Sequence, residues 1–368
     1  MLLAALPAAT ARAACPFCSV VERPLAQRRD TADVVLVATA DGPATRDSQG
    51  LLAQPFDVAA TLSGTLPADV VRPVARVPAA VEGTAILFGT GGAADLRFEA
   101  LAADEPLLAH VAAAPSMKEP AAERLRWFIP RLEHPEPAIA ADAFAEFGLA
   151  PFAAVRDVAD GFDAARLRGW LADGATDSRR GFYGLALGLV AARSNDPHER
   201  ARCEGALAAA LAAPGDDLRA GFDGIVAGLL VAEGERGLDR LAARGLLAAD
   251  TRPGDARHVL AALRFAWESL ADTIPRDRTA AAAAALVTNP AVAAECVVDL
   301  ARYRRFDDID LVAGLWDSLG RDDPLVRRAV AGFLLACPRD EARAQRERLA
   351  ANDPDRWQAA VAAAALPR

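Results

Sequence analysis

The chain has 368 residues, of which 53% are hydrophobic, enough apolar material to build two domains with a large core, and this argues against disorder. Its formal charge of -9 and the lack of a basic stripe interleaved with aromatics argue against a nucleic-acid partner, because phosphate binding draws on clustered Lys and Arg. Lys118 is the single lysine and lies in a proline-flanked stretch, so Schiff-base chemistry on lysine is set aside.

Residues 2–9 form a short apolar run, and Ala11-Arg12-Ala13 supplies the small residues that a signal peptidase accepts. Residues 1–13 therefore read as a signal peptide. The mature chain is expected to begin near Ala14 or Cys15, exported to the periplasm or beyond. The run is far shorter than the roughly 20 residues needed to cross a bilayer, so no transmembrane segment is expected once the leader is removed.

Residues 31–104 read as strands. Asp33 to Thr39 is a continuous β-branched run, and Phe56, Val58, Ala60 and Leu62 alternate at period two before Ser63-Gly64. Val70 to Val77, broken by Pro73, predicts a weak edge or bulged strand. Thr84 to Phe88 and Asp95 to Leu101 follow, separated by the glycine-rich segment 89–92. About five short strands in so few residues predict a small closed or partly open barrel.

From Glu105 onward the pattern is helical, broken by Pro, Gly and Asp-Pro steps. Asp196-Pro197, Asp323-Pro324 and Asp353-Pro354 each place an acidic cap ahead of a proline suited to a first helical turn. A repeat is visible, since residues 179–189 and 219–229 share the order R-x-G-F-x-G-[LI]-x-x-G-L, forty residues apart. Gly181, Gly184 and Gly188 recur at helical spacing, with Phe182, Leu185 and Leu189 beside them. Each such glycine costs about 1 kcal/mol relative to alanine, so three together predict a helix packed unusually close.

The leader, Cys15-Pro16-Phe17-Cys18 and the segments TADVVLVATA, FDVAATLSGTL and TAILFG resemble the OB-type barrels of netrin-like modules. That resemblance implies cysteines near the mature N-terminus tied down beside the barrel, and a possible protease-inhibitor role for the Cys15 loop. The segments RLRWFIPRLEHPEPAIAADAFAEFGLAPF, LARYRRFDDIDLVAGLW and AVAGFLLACP are similar to secreted bacterial proteins of planctomycete type with HEAT-like helices, a group that implies no particular activity. The resulting fold class is α+β and multidomain. It comprises a leader over 1–13, an OB/netrin-like β-barrel over 14–104 and a HEAT-like α-solenoid over 105–368.

Cys15 and Cys18 have the spacing of a redox dithiol, whose attacking thiolate is activated at a helix N-terminus. A buried strand must precede such a motif, and here a leader does. The alternative is a structural disulfide in an oxidising compartment, pinning the mature N-terminus against the barrel. A metal site needs a further pair of ligands, whereas Cys203, Cys296, Cys337 and the four histidines are scattered, so neither metal nor cofactor is expected. How the three helical cysteines pair, if at all, is left open.

His134 lies between Glu133 and Glu136 and reads as a helix-ending residue. Asp307, Asp308 and Asp310 lack the Gly and Glu of a calcium loop and read as a helix start. Segment 89–92 lacks the lysine of a phosphate loop, and no Gly-x-Ser-x-Gly elbow occurs. Trp127, Trp267 and Trp316 are the candidate binding-surface aromatics. The expected function is an exported, non-enzymatic scaffold for a protein or peptide partner, with thiol-disulfide exchange and netrin-like inhibition as alternatives.

Overall fold

The computed structural model of the chain describes Phe17 and residues 22–46, 50–92, 95–215 and 217–365, apart from the side chains of 175–177. The leader, Cys15 and Cys18 lie outside the described residues. The chain divides into two compact units, one ending at Gly161 and the other comprising Phe17 and the residues from Phe162 onward. The first unit includes the helices just after the barrel, which pack onto it.

The first unit holds α1 (Leu25–Thr31), β1 (Val34–Ala40), β2 (Thr45–Arg46), β3 (Leu52–Gly64), β4 (Val74–Arg76), β5 (Thr84–Thr90) and β6 (Arg97–Ala102). Helices α2 (Glu105–Ala113), α3 (Ala121–Phe128), α4 (Pro137–Leu149) and α5 (Phe152–Asp157) complete it. The sheet runs β1-β5-β6-β4-β3 and closes through β1–β3 pairing, a five-stranded barrel with β2 appended to β3. Only β4 and β6 pair in parallel, the other pairs being antiparallel.

Side-chain alternation explains the unbroken apolar run of β1. Val34, Leu36 and Ala38 point into the barrel with Phe56, Leu87 and Phe98, while Val35 faces outward. That outer face is also buried, since Val35, Ile86 and Phe88 pack with Leu25 of α1, Leu107 and Val111 of α2 and Ile139 of α4. A strand covered on both faces has no polar side. β3 behaves differently. Phe56 is buried, but Ala60 and Leu62 are exposed, so the expected apolar alternation continues past the barrel core along a strand that outgrows it. The weak strand expected over 70–77 is reduced to Val74–Arg76. Beyond it, buried Gln54 pins the chain by donating to the carbonyls of Gly42 and Val81 and accepting from Val81 N–H.

The second unit is helical throughout its described residues. Its elements are α6 (Ala164–Ala172), α7 (Arg180–Arg193), α8 (Pro197–Ala212), α9 (Phe222–Glu233), α10 (Glu235–Ala243) and α11 (Pro253–Ser269). They continue as α12 (Arg276–Ala285), α13 (Ala293–Arg302), α14 (Ile309–Gly314), α15 (Pro324–Ala336), α16 (Asp340–Asn352) and α17 (Pro354–Ala364). Asp196 and Asp323 cap α8 and α15, accepting from His198 N–H and Leu325 N–H as the Asp-Pro steps predict. Asp353 precedes α17 without a side-chain cap.

Helices α7, α9 and α11 form one row and α13, α15 and α17 another, with α12 packed against both α11 and α13. The glycine repeat sets the spacing of this row. Gly181 lies against Gly221 and Gly224, Gly184 against Ile225 and Gly228, and Gly188 against Gly228, so α7 and α9 run parallel with backbones in contact. A Cβ on Gly228 would fall on the Gly184 carbonyl oxygen, and one on Gly224 would fall on that of Gly181. Phe17 belongs to this unit. Its ring stands edge-on to Phe265 at 5.1 Å, and its carbonyl oxygen lies 2.9 Å from where a Cβ on Gly181 would be.

Gly228→Ala is expected to destabilise the second unit by at least about 2 kcal/mol, because backbone cannot move aside as a rotamer would. Gly205, exposed on α8 with nothing near its absent Cβ, provides the contrast. Gly205→Ala should raise stability by up to about 1 kcal/mol. Urea unfolding of both variants checks the pair, and equal effects would show that the glycine contact is not limiting.

Candidate functional site

The three candidate tryptophans are all engaged within the fold. Trp127 is half-buried, with the Arg131 guanidinium 3.4 Å from its ring centroid and Phe128 edge-on at 4.8 Å. Trp267 stacks on Tyr303 at 3.9 Å and keeps part of its surface open. Trp316 is only 4% exposed, packed on Trp357, so it is a core residue rather than a surface anchor. Its buried position reflects the meeting of α14 and α17 flanks, which no local spacing announces.

Cys203, Cys296 and Cys337 are free and buried. Burial pushes the thiols of Cys203 and Cys296 up, so neither is a ready nucleophile at neutral pH. His134 accepts Glu136 N–H at its Nδ1, a local helix-start contact. Asp307, Asp308 and Asp310 are held by Arg339, Arg305 and Gln345, respectively. Among the described residues, no three His, Cys, Asp or Glu side chains converge as metal ligands. No helix among them is long and apolar enough to cross a membrane.

Two polar assemblies were not anticipated from sequence. The first lies among α1 to α4. His110 Nε2 sits 2.7 Å from Asp142 Oδ2, and Asp142 Oδ1 accepts Leu25 N–H at 2.6 Å. An ionised Asp142 accepts at both oxygens, so His110 donates from Nε2, and its Nδ1 has no hydrogen-bond partner among the described residues, with Trp127 and Phe128 packed beside the ring. Arg124 and Glu146 form a neighbouring buried ion pair, and burial raises the Glu146 carboxyl above the usual range. These contacts tie four helices together in a buried site. That arrangement is structural in character.

The second assembly opens to solvent where α7, α8, α9 and α11 meet. The repeat motif places Arg219 just ahead of α9, with φ at 35°, a left-handed conformation that a side chain rarely adopts without compensation. The compensation is extensive. Arg219 donates to the carbonyls of Leu211 and Ala213 at the end of α8, each at 3.0 Å, and to Asp255 Oδ1 at 3.1 Å. Its guanidinium also lies 3.6 Å from the Phe222 ring centroid. Gly215 lacks a Cβ where the Arg219 stem passes, at 2.8 Å from the position that atom would take.

Asp255 is shared, since its Oδ2 accepts from Arg252, which also donates to the Gly215 carbonyl. Above this buried pair lies a cleft of about 370 Å³, lined by Arg180, Arg219, Leu218, Phe222 and Ile225. A second hollow of about 330 Å³ adjoins it and adds Arg244 and Arg252. In the sequence Arg219 is the first residue of the glycine-repeat motif, with nothing local to mark it as part of a cleft. The doubled arginine at 179–180, at the matching point of the preceding repeat, was the available signal.

His258 of α11 lies beside Phe222. Its Nε2 lies 2.7 Å from the Leu218 carbonyl and its Nδ1 3.6 Å from the Asp223 carboxylate, which raises the imidazole pKa with help from that carbonyl. No family model, no curated protein and no solved structure matches the chain.

Because His258 titrates higher in the folded chain than in the unfolded one, its stabilisation is complete below the ordinary value of about 6.5 and is lost as pH rises through the folded value. Urea unfolding at pH 5.5 and 8.5 should show a difference below about 1 kcal/mol that disappears in His258→Gln. A stability difference that survives the substitution would assign the pH dependence elsewhere.

Proposed function

We propose that the chain is an exported, non-enzymatic scaffold, an OB-type barrel joined to a HEAT-like solenoid that binds a protein or peptide partner. The barrel reading is supported by strand order. Numbering its five strands in chain order without the β2 appendage, the circuit is 1-2-3-5-4 with the third and fifth strands parallel, the Greek-key course of OB folds. The solenoid reading is supported by the paired rows of helices and the forty-residue glycine repeat that stacks α7 on α9.

That stack is the observation that carries the proposal. Repeats that bury a continuous core between neighbours leave long side and edge surfaces for recognition, and here one edge opens into an arginine-lined cleft. The inhibitor alternative has less support. Phe17, between Cys15 and Cys18 in sequence, is 5% exposed and packed on Phe265.

Two measurements test the proposal. Sequencing of the exported protein should find a new N-terminus near Ala14 or Cys15, and a retained Met1 would overturn export by this leader. The full mature chain, immobilised and exposed to cell-envelope extract, should return one partner that rebinds after purification with a fixed stoichiometry and emerges chemically unchanged. Failure to rebind, or insulin-reducing activity abolished by Cys15→Ser, would replace the scaffold with another role.

A further inference from the structure

We propose that the cleft between Arg180 and Arg219 is a binding site for a carboxylate attached to an apolar group, such as an acidic side chain within an apolar peptide segment. The inference deepens the scaffold reading and rests on it for the peptide source of the ligand. Its own support is the charge pattern of the cleft. Arg180 is partly buried and makes no hydrogen bond or ion pair among the described residues, and its Nε is fully shielded from solvent without a partner. A guanidinium with no counter-charge in a concave site is costly to keep, unless something arrives to satisfy it.

Arg219 cannot be that partner. It carries the same charge, and its protonated form is disfavoured first by burial and then by the charges of Arg252 and Arg180. Asp255 is already divided between Arg219 and Arg252. Asp217 accepts Gly254 N–H, and Asp223 faces His258. Among the described residues the cleft therefore holds positive charge that no ion pair spends, on a chain whose net charge is -9. An incoming carboxylate meets Arg180 donors that the protein leaves unused, in geometry suited to a planar anion.

The rest of the lining selects what the carboxylate is attached to. Phe222 and Ile225 form an apolar floor, Ala210, Ala213 and Pro214 add a wall, and Leu218 stands 73% exposed at the rim. A volume of about 370 Å³ exceeds the need of a bare oxyanion and admits a short apolar body beside it. A phosphate ion alone would leave that floor uncovered.

The test is calorimetric titration of the full mature chain with hexanoate, acetyl-Leu-Glu-Leu-amide, its Gln analogue and inorganic phosphate. Hexanoate and the Glu peptide should bind saturably, with the Gln peptide at least tenfold weaker. Arg180→Gln should weaken both ligands at least tenfold while leaving the melting temperature unchanged or higher, since it removes a like-charge contact and no internal bond. Leu218→Ser, at an exposed position, should weaken hexanoate binding and serves if Arg180→Gln fails to fold. No saturable binding, affinity indifferent to both substitutions, or phosphate binding as tightly as hexanoate would overturn the proposal. Hexanoate binding without peptide binding would support the carboxylate site and count against the peptide-scaffold reading.

Discussion

The contact on which the helical unit depends is backbone against backbone, where α7 meets α9. Helices normally keep 8–10 Å between axes because side chains intervene. Gly181, Gly184 and Gly188 on one helix and Gly221, Gly224 and Gly228 on the other or at its start remove that spacer. Each interior glycine sacrifices about 1 kcal/mol of helix propensity, and the loss is offset by dense packing of the residues alongside, where Phe182, Leu185, Ile225 and Leu229 are all buried. The close approach continues at Gly254, whose missing Cβ lets α11 start against the Asp217 backbone.

Drawing α9 so near α7 compresses the connection from α8, and Arg219 is the residue that resolves the compression. Its positive φ turns the chain, its guanidinium takes up carbonyls left open at the end of α8, and its charge is balanced by buried Asp255. The cleft follows from this arrangement. With Arg219 committed to the fold and Arg180 held on the neighbouring helix without an ion-pair partner among the described residues, packing and the proposed recognition share the same repeat motif. The second arginine is the one left over for a ligand.

The barrel unit solves a different problem, that of covering a small sheet on both faces. Its interior is filled by side chains of β1, β3, β4, β5 and β6, and its outer face is sealed by α1, α2 and α4. His110 and Asp142 join those helices and Arg124 with Glu146 ties α3 to α4, so that buried polar atoms add directional constraints to an otherwise apolar contact. This is why the compact unit extends to Gly161 instead of stopping with the last strand.

Periodicity and punctuation made much of the architecture legible. The β-branched run at β1, the five-strand count, the Asp-Pro caps at α8 and α15 and the forty-residue glycine repeat are local signals, and local backbone physics acts on them directly. Other features depended on which distant segments meet. Trp316 is core because Trp357 packs on it, although 41 positions separate them. The helices after the barrel join it through the outward-facing Val35, Ile86 and Phe88. Arg180 and Arg219 face one cleft only because α7 and α9 are drawn together. Sequence by itself determined which segments are strands and helices and where two helices must touch, since propensity, capping and glycine spacing are properties of neighbouring residues. Tertiary structure alone decided which aromatics are buried, where the units divide and which charge is left without a partner, since burial and pairing are properties of the whole packed chain.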